Sequence, residues 1–188
     1  MHLRDIDNPN TLDDRQLWDN FKSGNSEALS TIFLQHFDLL LSYTTRLTND
    51  TDETKDLIQE LFLKLWKNRN NLGDCNSIKY YLLRSMRSLV IDQKKKSAKI
   101  ITTQINETNI PFELSFESII IQNQTESERL EKVDKALESL SKRQQEAIFL
   151  RYYEQIEYPE ISEIMTLNIQ SVRNLIHSGI QVLRDQLS

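Results

Sequence analysis

The sequence predicts an all-α protein. Two small helical domains, residues 10–97 and 128–188, are joined by a flexible linker over 98–127, and the second domain is a helix-turn-helix. Three observations predict this. The 188 residues include only three Gly and three Pro, so helices can run without interruption. Apolar residues recur at helical spacing on both sides of the middle of the chain, with no strand-like alternation and no repeat of roughly 20–50 residues. Between Lys99 and Glu128 that period disappears: Thr, Asn, Gln, Ser and Ile dominate, with Pro111 among them.

Each element follows from its own pattern. Residues 12–22 carry apolar side chains at 12, 17, 18 and 21, a weak amphipathic helix that ends at Gly24-Asn25-Ser26. Ser26 is placed to cap a second helix, with apolar positions 29, 32, 33, 37, 40, 41 and 43, which Asn49-Asp50 interrupts. The third runs to about Arg69, and a polar loop with Asn70, Asn71, Gly73 and Asp74 follows. Ser77 starts a fourth, SIKYYLLRSMRSLVIDQKKK, in which Tyr80, Leu83, Met86, Val90 and Ile91 can be core. Past the linker, ERLEKVDKALESL puts Leu130, Val133, Leu137 and Leu140 on one side. Ser141 caps KRQQEAIFLRYYEQ, and Pro159 stands at a first helical position, where its missing N–H costs nothing. Thr166-Leu167-Asn168 then turns into IQSVRNLIHSGIQVLRDQL, the spacing of a helix-turn-helix.

Composition excludes several function classes. With 38% hydrophobic and 27% charged residues the chain is globular rather than disordered. The single cysteine, Cys75, rules out an internal disulfide and a cysteine metal cluster, and His2, His36 and His177 are scattered, so neither a metal nor another cofactor is expected. The polar start MHLRDIDNPN is no signal peptide, no apolar run is long enough to span a membrane, and a reducing cytoplasm is the expected compartment. No Gly-rich phosphate loop, HExxH or GxSxG occurs, so no enzyme or small-molecule substrate is expected. A net charge of −5 argues by itself against nucleic acid, but its distribution matters more. Residues 84–99 hold six cations (Arg84, Arg87, Lys94, Lys95, Lys96, Lys99) against Asp92 alone, a basic patch in an acidic chain.

Three helix faces invite a functional reading beside a plain one. In DLIQELFLKLWK, Leu57, Ile58, Leu61, Phe62, Leu65 and Trp66 form one buried face, yet Leu63 falls among Asp56, Gln59, Glu60, Lys64 and Lys67. It is either an isolated exposed leucine or the apolar anchor of a contact face. In the helix from Ser77, cations alternate with Tyr80 and Tyr81, which suits stacked bases and phosphates but equally a solvated basic helix end. In the last helix Val172, Ile176, Gly179 and Leu183 form a packing face, with Gly179 allowing close approach. The opposite face shows Arg173, Asn174, His177, Ser178, Gln181 and Arg184, which suits the major groove or is simply solvated.

These stretches, in this order, resemble the extracytoplasmic-function (ECF) sigma factors of bacterial RNA polymerase, most of all the iron-transport-type group common in Bacteroidetes. DETKDLIQELFLKLWKNR is similar to the family's core-binding helix, with Asp56, Gln59 and Glu60 on its acidic-Gln-Glu pattern and Phe62, Lys64 and Trp66 on the continuation. SIKYYLLRSMRSLVIDQKKK resembles the helix that melts and reads the −10 element, and the segments around 139–165 and 168–187 resemble the domain that reads the −35 element.

The resemblance implies a transcription-initiating subunit whose partners are core polymerase (the β′ clamp and β flap), promoter DNA and an anti-sigma factor, a membrane-anchored one by family analogy. It implies core binding by Asp56, Gln59, Glu60 and Leu63. It implies −10 contacts by Asn76, Ser77, Lys79, Tyr80, Arg84, Arg87, Ser88, Lys94, Lys95 and Lys96, and −35 contacts by Gln170, Ser171, Arg173, Asn174, His177 and Ser178. Departures are also present. Ser88 stands where Asn is usual, Tyr81 where Trp is usual, Leu175 and Ser178 where many relatives carry Arg, and Gln181 where Lys is common. Fewer cations on the last helix mean weaker, less salt-dependent DNA binding. They keep open a decoy that binds core or an anti-sigma factor without reading DNA. A free helix-turn-helix repressor fits less well, since no dimerisation element or effector pocket is apparent. Cys75, in the loop before the −10 helix, is either a redox switch or an ordinary cysteine.

Overall fold

Helix starts fall where short polar side chains take the free amides of a first turn. A computed structural model of the chain describes residues 13–101, 110–114 and 132–187. Helix α1 (Asp14–Lys22) starts on Asp13, whose carboxylate accepts the Gln16 N–H, and buries Leu17, Trp18 and Phe21. Helix α2 (Ser26–Thr48) is capped by Asn25 rather than Ser26: the Asn25 side-chain Oδ1 accepts the Glu27 and Ala28 amides, so Ser26 is already inside the helix. Asn49 closes α2 in the left-handed region at φ 59°, and Asp50 at once caps α3 (Thr51–Asn68). Two residues therefore make the whole reversal between the two long helices. A 3-10 turn, Arg69–Asn71, leads to α4 (Ile78–Ile101). Ser77 Oγ accepts the Tyr80 N–H, and Asp14, from α1, accepts the Ile78 N–H at 2.8 Å.

In the C-terminal part, α5 spans 132–138 and α6 is Lys142–Ile148, opened by a capping box of Ser141 and Gln144. The single helix predicted over 142–155 changes character midway. Phe149–Tyr153 form a π-turn in which the Glu154 N–H reaches back to the Phe149 carbonyl, and Gln155, at φ 57°, ends it. Helix α7 (Tyr158–Ile164) has Pro159 in its first turn, and α8 (Ile169–Leu187) follows, Asn168 accepting the Ser171 N–H. All described residues are helical or irregular, in accord with the all-α expectation. Residues 1–12, most of the linker and the first turn of the helix predicted from Glu128 lie outside the described residues.

Two small separate cores are expected from the sequence, but the buried apolar residues form one main cluster running from Leu17 in α1 to Ile176 in α8. Among the described residues, Leu137, Leu140 and Ile148 make a second, satellite group. The junction is aromatic. Tyr43 on α2 and Phe149 stack with ring centres 6.1 Å apart, and Phe112, from the described part of the linker, sits 6.0 Å from the first and 5.6 Å from the second. Ile110 and Phe112 are buried, the Glu113 N–H donates to the Arg46 carbonyl, and the Leu114 N–H donates to Gln145 Oε1. Here the linker is a strap with contacts to both domains.

Gly179 lets α8 close onto α6. A Cβ there would lie 2.8 Å from Ile148 Cδ1 and 3.4 Å from Gln144 Cβ. For Gly179→Ala, the gain in helix propensity, about 1 kcal/mol, offsets the cost of turning the Ile148 terminal methyl aside, about 0.5–1.5 kcal/mol. Chemical denaturation should find this variant near neutral and Gly179→Leu about 1–3 kcal/mol less stable.

Candidate functional site

Helix α3 presents the face singled out from the sequence. Leu63 is 60% exposed, Asp56 and Gln59 are exposed, and Glu60 is held by Lys64 at 2.6 Å one turn on. The helix backs onto α2, with Phe33 edge-on to Phe62 at 5.0 Å. Leu63 then rims a shallow groove whose walls are Leu29 and Phe33 from α2 and Gln59, Phe62 and Trp66 from α3. The apolar anchor is thus one edge of an apolar surface shared by two helices. The α2 half was missed because Leu29 and Phe33 read as core, and only their pairing with α3 opens them to one side.

The basic helix α4 is arranged differently from a free DNA-facing surface. Arg87 is 1% exposed; its Nε donates to Glu146 Oε1 at 2.8 Å, and Tyr43 Oη donates to the same oxygen at 2.8 Å. Glu146 lies on α6 and is equally buried. Burial, and then the Glu146 charge, push the Tyr43 hydroxyl well above its ordinary pKa, so it stays a neutral donor. Lys79 donates to the Glu154 carbonyl and pairs with its carboxylate at 2.7 Å. Tyr80 donates to Glu163 on α7, which also pairs with Arg84 at 3.1 Å, and burial together with that carboxylate pushes the Tyr80 hydroxyl up to about 12. Lys94 donates to the Leu47 carbonyl at 2.6 Å, closing the last turn of α2, and its burial pushes the ammonium down. Asn76, Ser88, Lys95 and Lys96 are exposed, and Ser77 is taken up by its cap.

Along α8 the outward face is open. Gln170, Arg173, Asn174 and His177 are exposed. Gln170 donates to Asn174 Oδ1 at 2.9 Å, and the Arg173 guanidinium lies over the Tyr158 ring at 5.7 Å. Ser171 and Ser178 are half-buried, and Ser178 accepts from Gln144 at 2.9 Å. Val172 and Ile176 are buried on the packing side. The structure therefore keeps the candidate DNA face of α8 clear and divides that of α4: Arg87 is buried, Lys79, Tyr80 and Arg84 meet carboxylates of the C-terminal part, and Asn76, Ser88, Lys95 and Lys96 stay exposed. The three carboxylates that meet α4 were not singled out from the sequence. A signal for Glu146 does exist: it is one helical turn from Phe149 and Leu150, on the inward side of QQEAIFL, where a carboxylate needs a partner.

Cys75 is 6% exposed, and burial pushes its thiol up. Among the described residues no three of His, Cys, Asp and Glu are grouped to hold a metal ion, and no helix is long and apolar enough to cross a membrane.

Two family models match the chain, one in each half. Residues 32–100, which hold α3 and α4, match sigma-70 region 2, and residues 130–183, which hold α6 to α8, match sigma-70 region 4. The chain belongs to the ECF sigma factor family. It is similar to the ECF RNA polymerase sigma factor SigW of Bacillus subtilis, 23% identical over 172 residues that cover 88% of this chain and 92% of that protein. RNA polymerase sigma factor YlaC of the same organism is 21% identical over 162 residues, covering 86% and 93%. In fold it is similar to the sigma factor RpoE crystallised with the anti-sigma factor NepR from Bartonella quintana, with TM-score 0.61 and 19% identity over 86% of this chain and 97% of that one. CnrH, solved with the cytosolic domain of CnrY, gives TM-score 0.60 and 18% identity over 93% and 96%.

Arg87→Met leaves Glu146 buried without its cation and should cost about 3–5 kcal/mol in urea unfolding. The triple change Tyr43→Phe, Arg87→Met, Glu146→Leu removes every polar member and should recover most of that loss. Iodoacetamide at pH 8 should alkylate Cys75 in the folded chain at least tenfold more slowly than in the urea-unfolded chain, because the thiol is both covered and raised in pKa.

Proposed function

We propose that this chain is the promoter-recognising subunit of a bacterial RNA polymerase, with chemistry supplied by the polymerase. Its core-binding surface is Asp56, Gln59, Glu60 and Leu63 together with the adjoining groove of Leu29, Phe33 and Trp66, facing the β′ clamp. The C-terminal domain faces the β flap. Asn76, Ser77, Lys79, Tyr80, Arg84, Arg87, Ser88 and Lys94–Lys96 engage the −10 element, where cations meet phosphate and tyrosines stack on unpaired bases. Gln170, Ser171, Arg173, Asn174, His177 and Ser178 engage the −35 major groove. The observation that carries the reading is Leu63: 60% exposed, ringed by polar side chains and beside an apolar groove, on the helix that lies within region 2. Within the ECF family, the likeness of the chain as a whole is to the iron-transport-type group. An anti-sigma protein, anchored in the membrane, holds the chain until a signal arrives, and RpoE bound to NepR is the precedent in a protein of this fold.

A second reading has one observation in its favour. Leu175, Ser178 and Gln181 occupy α8 positions where many relatives carry cations, which fits a decoy that binds core or an anti-sigma factor but not promoter DNA. Transcription in vitro with purified core polymerase, this chain and fragmented genomic DNA from its source separates the two. Discrete RNA 5′ ends sharing two upstream elements establish the initiation factor; core binding without transcripts establishes the decoy. Leu63→Asp should leave the melting temperature within about 2 °C, since exposed substitutions change stability by about 0.5 kcal/mol or less. It should weaken core binding at least tenfold on a sizing column or by anisotropy, and unchanged core binding would remove the α3 face from the interface.

A further inference from the structure

A cavity of about 530 Å³ opens where α2, the strap of residues 110–114, α5 and the π-turn meet. Its walls are mostly apolar: Leu41 from α2, Leu114 from the strap, Leu137 from α5, and Phe149 with Tyr153 from the π-turn. The last two rings stack 5.0 Å apart with their planes 19° from parallel, and Tyr153 stays 68% exposed at the mouth. A π-turn inside a helix recurs at functional sites, and here it carries both rings to one wall. The polar lining comes from one side of α2, as Asp38, Ser42, Thr45 and Arg46, with Thr51 at the start of α3.

Arg46 sets the chemistry of this cavity. Its guanidinium lies over the Phe149 ring, 5.0 Å from the centre, and Nη1 donates to the Ser42 carbonyl and hydroxyl, both at 2.9 Å. Its Nε is buried without a hydrogen-bond partner among the described residues. Arg46 also takes part in none of the ion pairs among those residues. The other charged group in the lining, Asp38, stands two turns back on α2, about 12 Å along the helix. An uncompensated guanidinium edge in an apolar wall is costly to leave unpaired, and a carboxylate is the group its planar fork fits best.

We propose that this cavity is a binding site for a free small-molecule monocarboxylic acid, with its carboxylate on Arg46 and its apolar or aromatic body against Leu41, Leu137 and the Phe149–Tyr153 stack. The volume lies within the range of about 300–1000 Å³ typical of small-molecule sites, and the lining has their character, apolar walls with one convergent charge. Asp38 in the same lining repels a second negative charge, which sets a nucleotide or another polyanion apart from the class. Because α2, the strap and the π-turn each supply part of the wall, a bound acid touches both halves of the chain and stabilises the fold by mass action. None of the residues assigned above to core polymerase, the −10 element or the −35 element lines the cavity, so the site is independent of that reading.

The test uses the full chain with methyl-labelled Ile, Leu and Val, followed by NMR. The probes are octanoate and 4-phenylbutyrate, each set against its neutral amide. Expected is saturable binding of at least one acid with Kd of about 1 mM or tighter, the range for ligands of this size. The largest shifts should fall on the methyls of Leu41, Leu114 and Leu137, and the matching amide should bind at least tenfold more weakly. Arg46→Gln should weaken the acid at least tenfold and leave the amide within twofold, a split that lost packing does not produce. Tyr153→Ala, at an exposed position, keeps the test sound if Arg46→Gln fails to fold: it should weaken acid and amide alike, at least threefold. At ten times Kd the acid should raise Tm by about 3–6 °C. Failure of both acids to give a saturable shift overturns the proposal, as do shifts centred outside the cavity, an amide that binds as tightly as its acid, or unchanged acid binding in a folded Arg46→Gln chain. Overhauser contacts from Ile119, Ile120 or Ile121 to Tyr153 without any probe would put the chain's own segment in the cavity, and methyl shifts that grow with protein concentration would put a second copy there; either result overturns it too.

Discussion

One carboxylate organises the molecule. Glu146 sits in the last turn of a seven-residue helix, almost free of solvent, and draws Tyr43 from α2 and Arg87 from α4 onto a single oxygen. A carboxylate in that position cannot be left without donors. Helices α2 and α4 are therefore held at the distance that satisfies it, and the aromatic junction of Tyr43, Phe112 and Phe149 closes around it. The remaining contacts between the halves, from Lys79 to Glu154 and from Arg84 to Glu163, are more exposed and follow from the placement this triad sets. The main apolar cluster among the described residues is likewise continuous, running from Leu17 in α1 to Ile176 in α8.

Local chemistry made much of the fold legible in the sequence. The first helix over 12–22, the break at Asn49-Asp50, the cap at Ser141 and the helix-turn-helix spacing after Pro159 each fall within a few residues of the observed elements, where pattern and structure speak the same language. The cap at Asn25 in place of Ser26 is an error of one position between two good capping residues, decided by which side chain reaches two amides at once. The π-turn at Phe149–Tyr153 left no trace, because its extra residue per turn serves to bring Phe149 and Leu150 inward while Tyr152 and Tyr153 stay out, a demand made by distant partners.

The site divides along the same line. Leu63 was readable because a helix with one satisfied face makes an apolar residue on the other conspicuous. The open face of α8 was readable from the opposite periodicity. What could not be read was that Arg87, Lys79 and Arg84 have partners 59, 75 and 79 residues away in the chain. Their spacing on α4 is the same whether phosphate or carboxylate meets them. The strap was equally hidden, since Ile110-Pro111-Phe112 within a polar stretch has no period to declare its burial.

The C-terminal domain keeps its carboxylates and its open helix face on different sides. Glu146, Glu154 and Glu163 look inward from α6, the turn after it and α7, while Gln170, Arg173, Asn174 and His177 look outward from α8. Substitutions on the outward side touch none of the inward contacts. The outward side of α8 can therefore change residue by residue while the joint between the two halves of the chain stays as it is, because the side free to vary holds none of the contacts that close the fold.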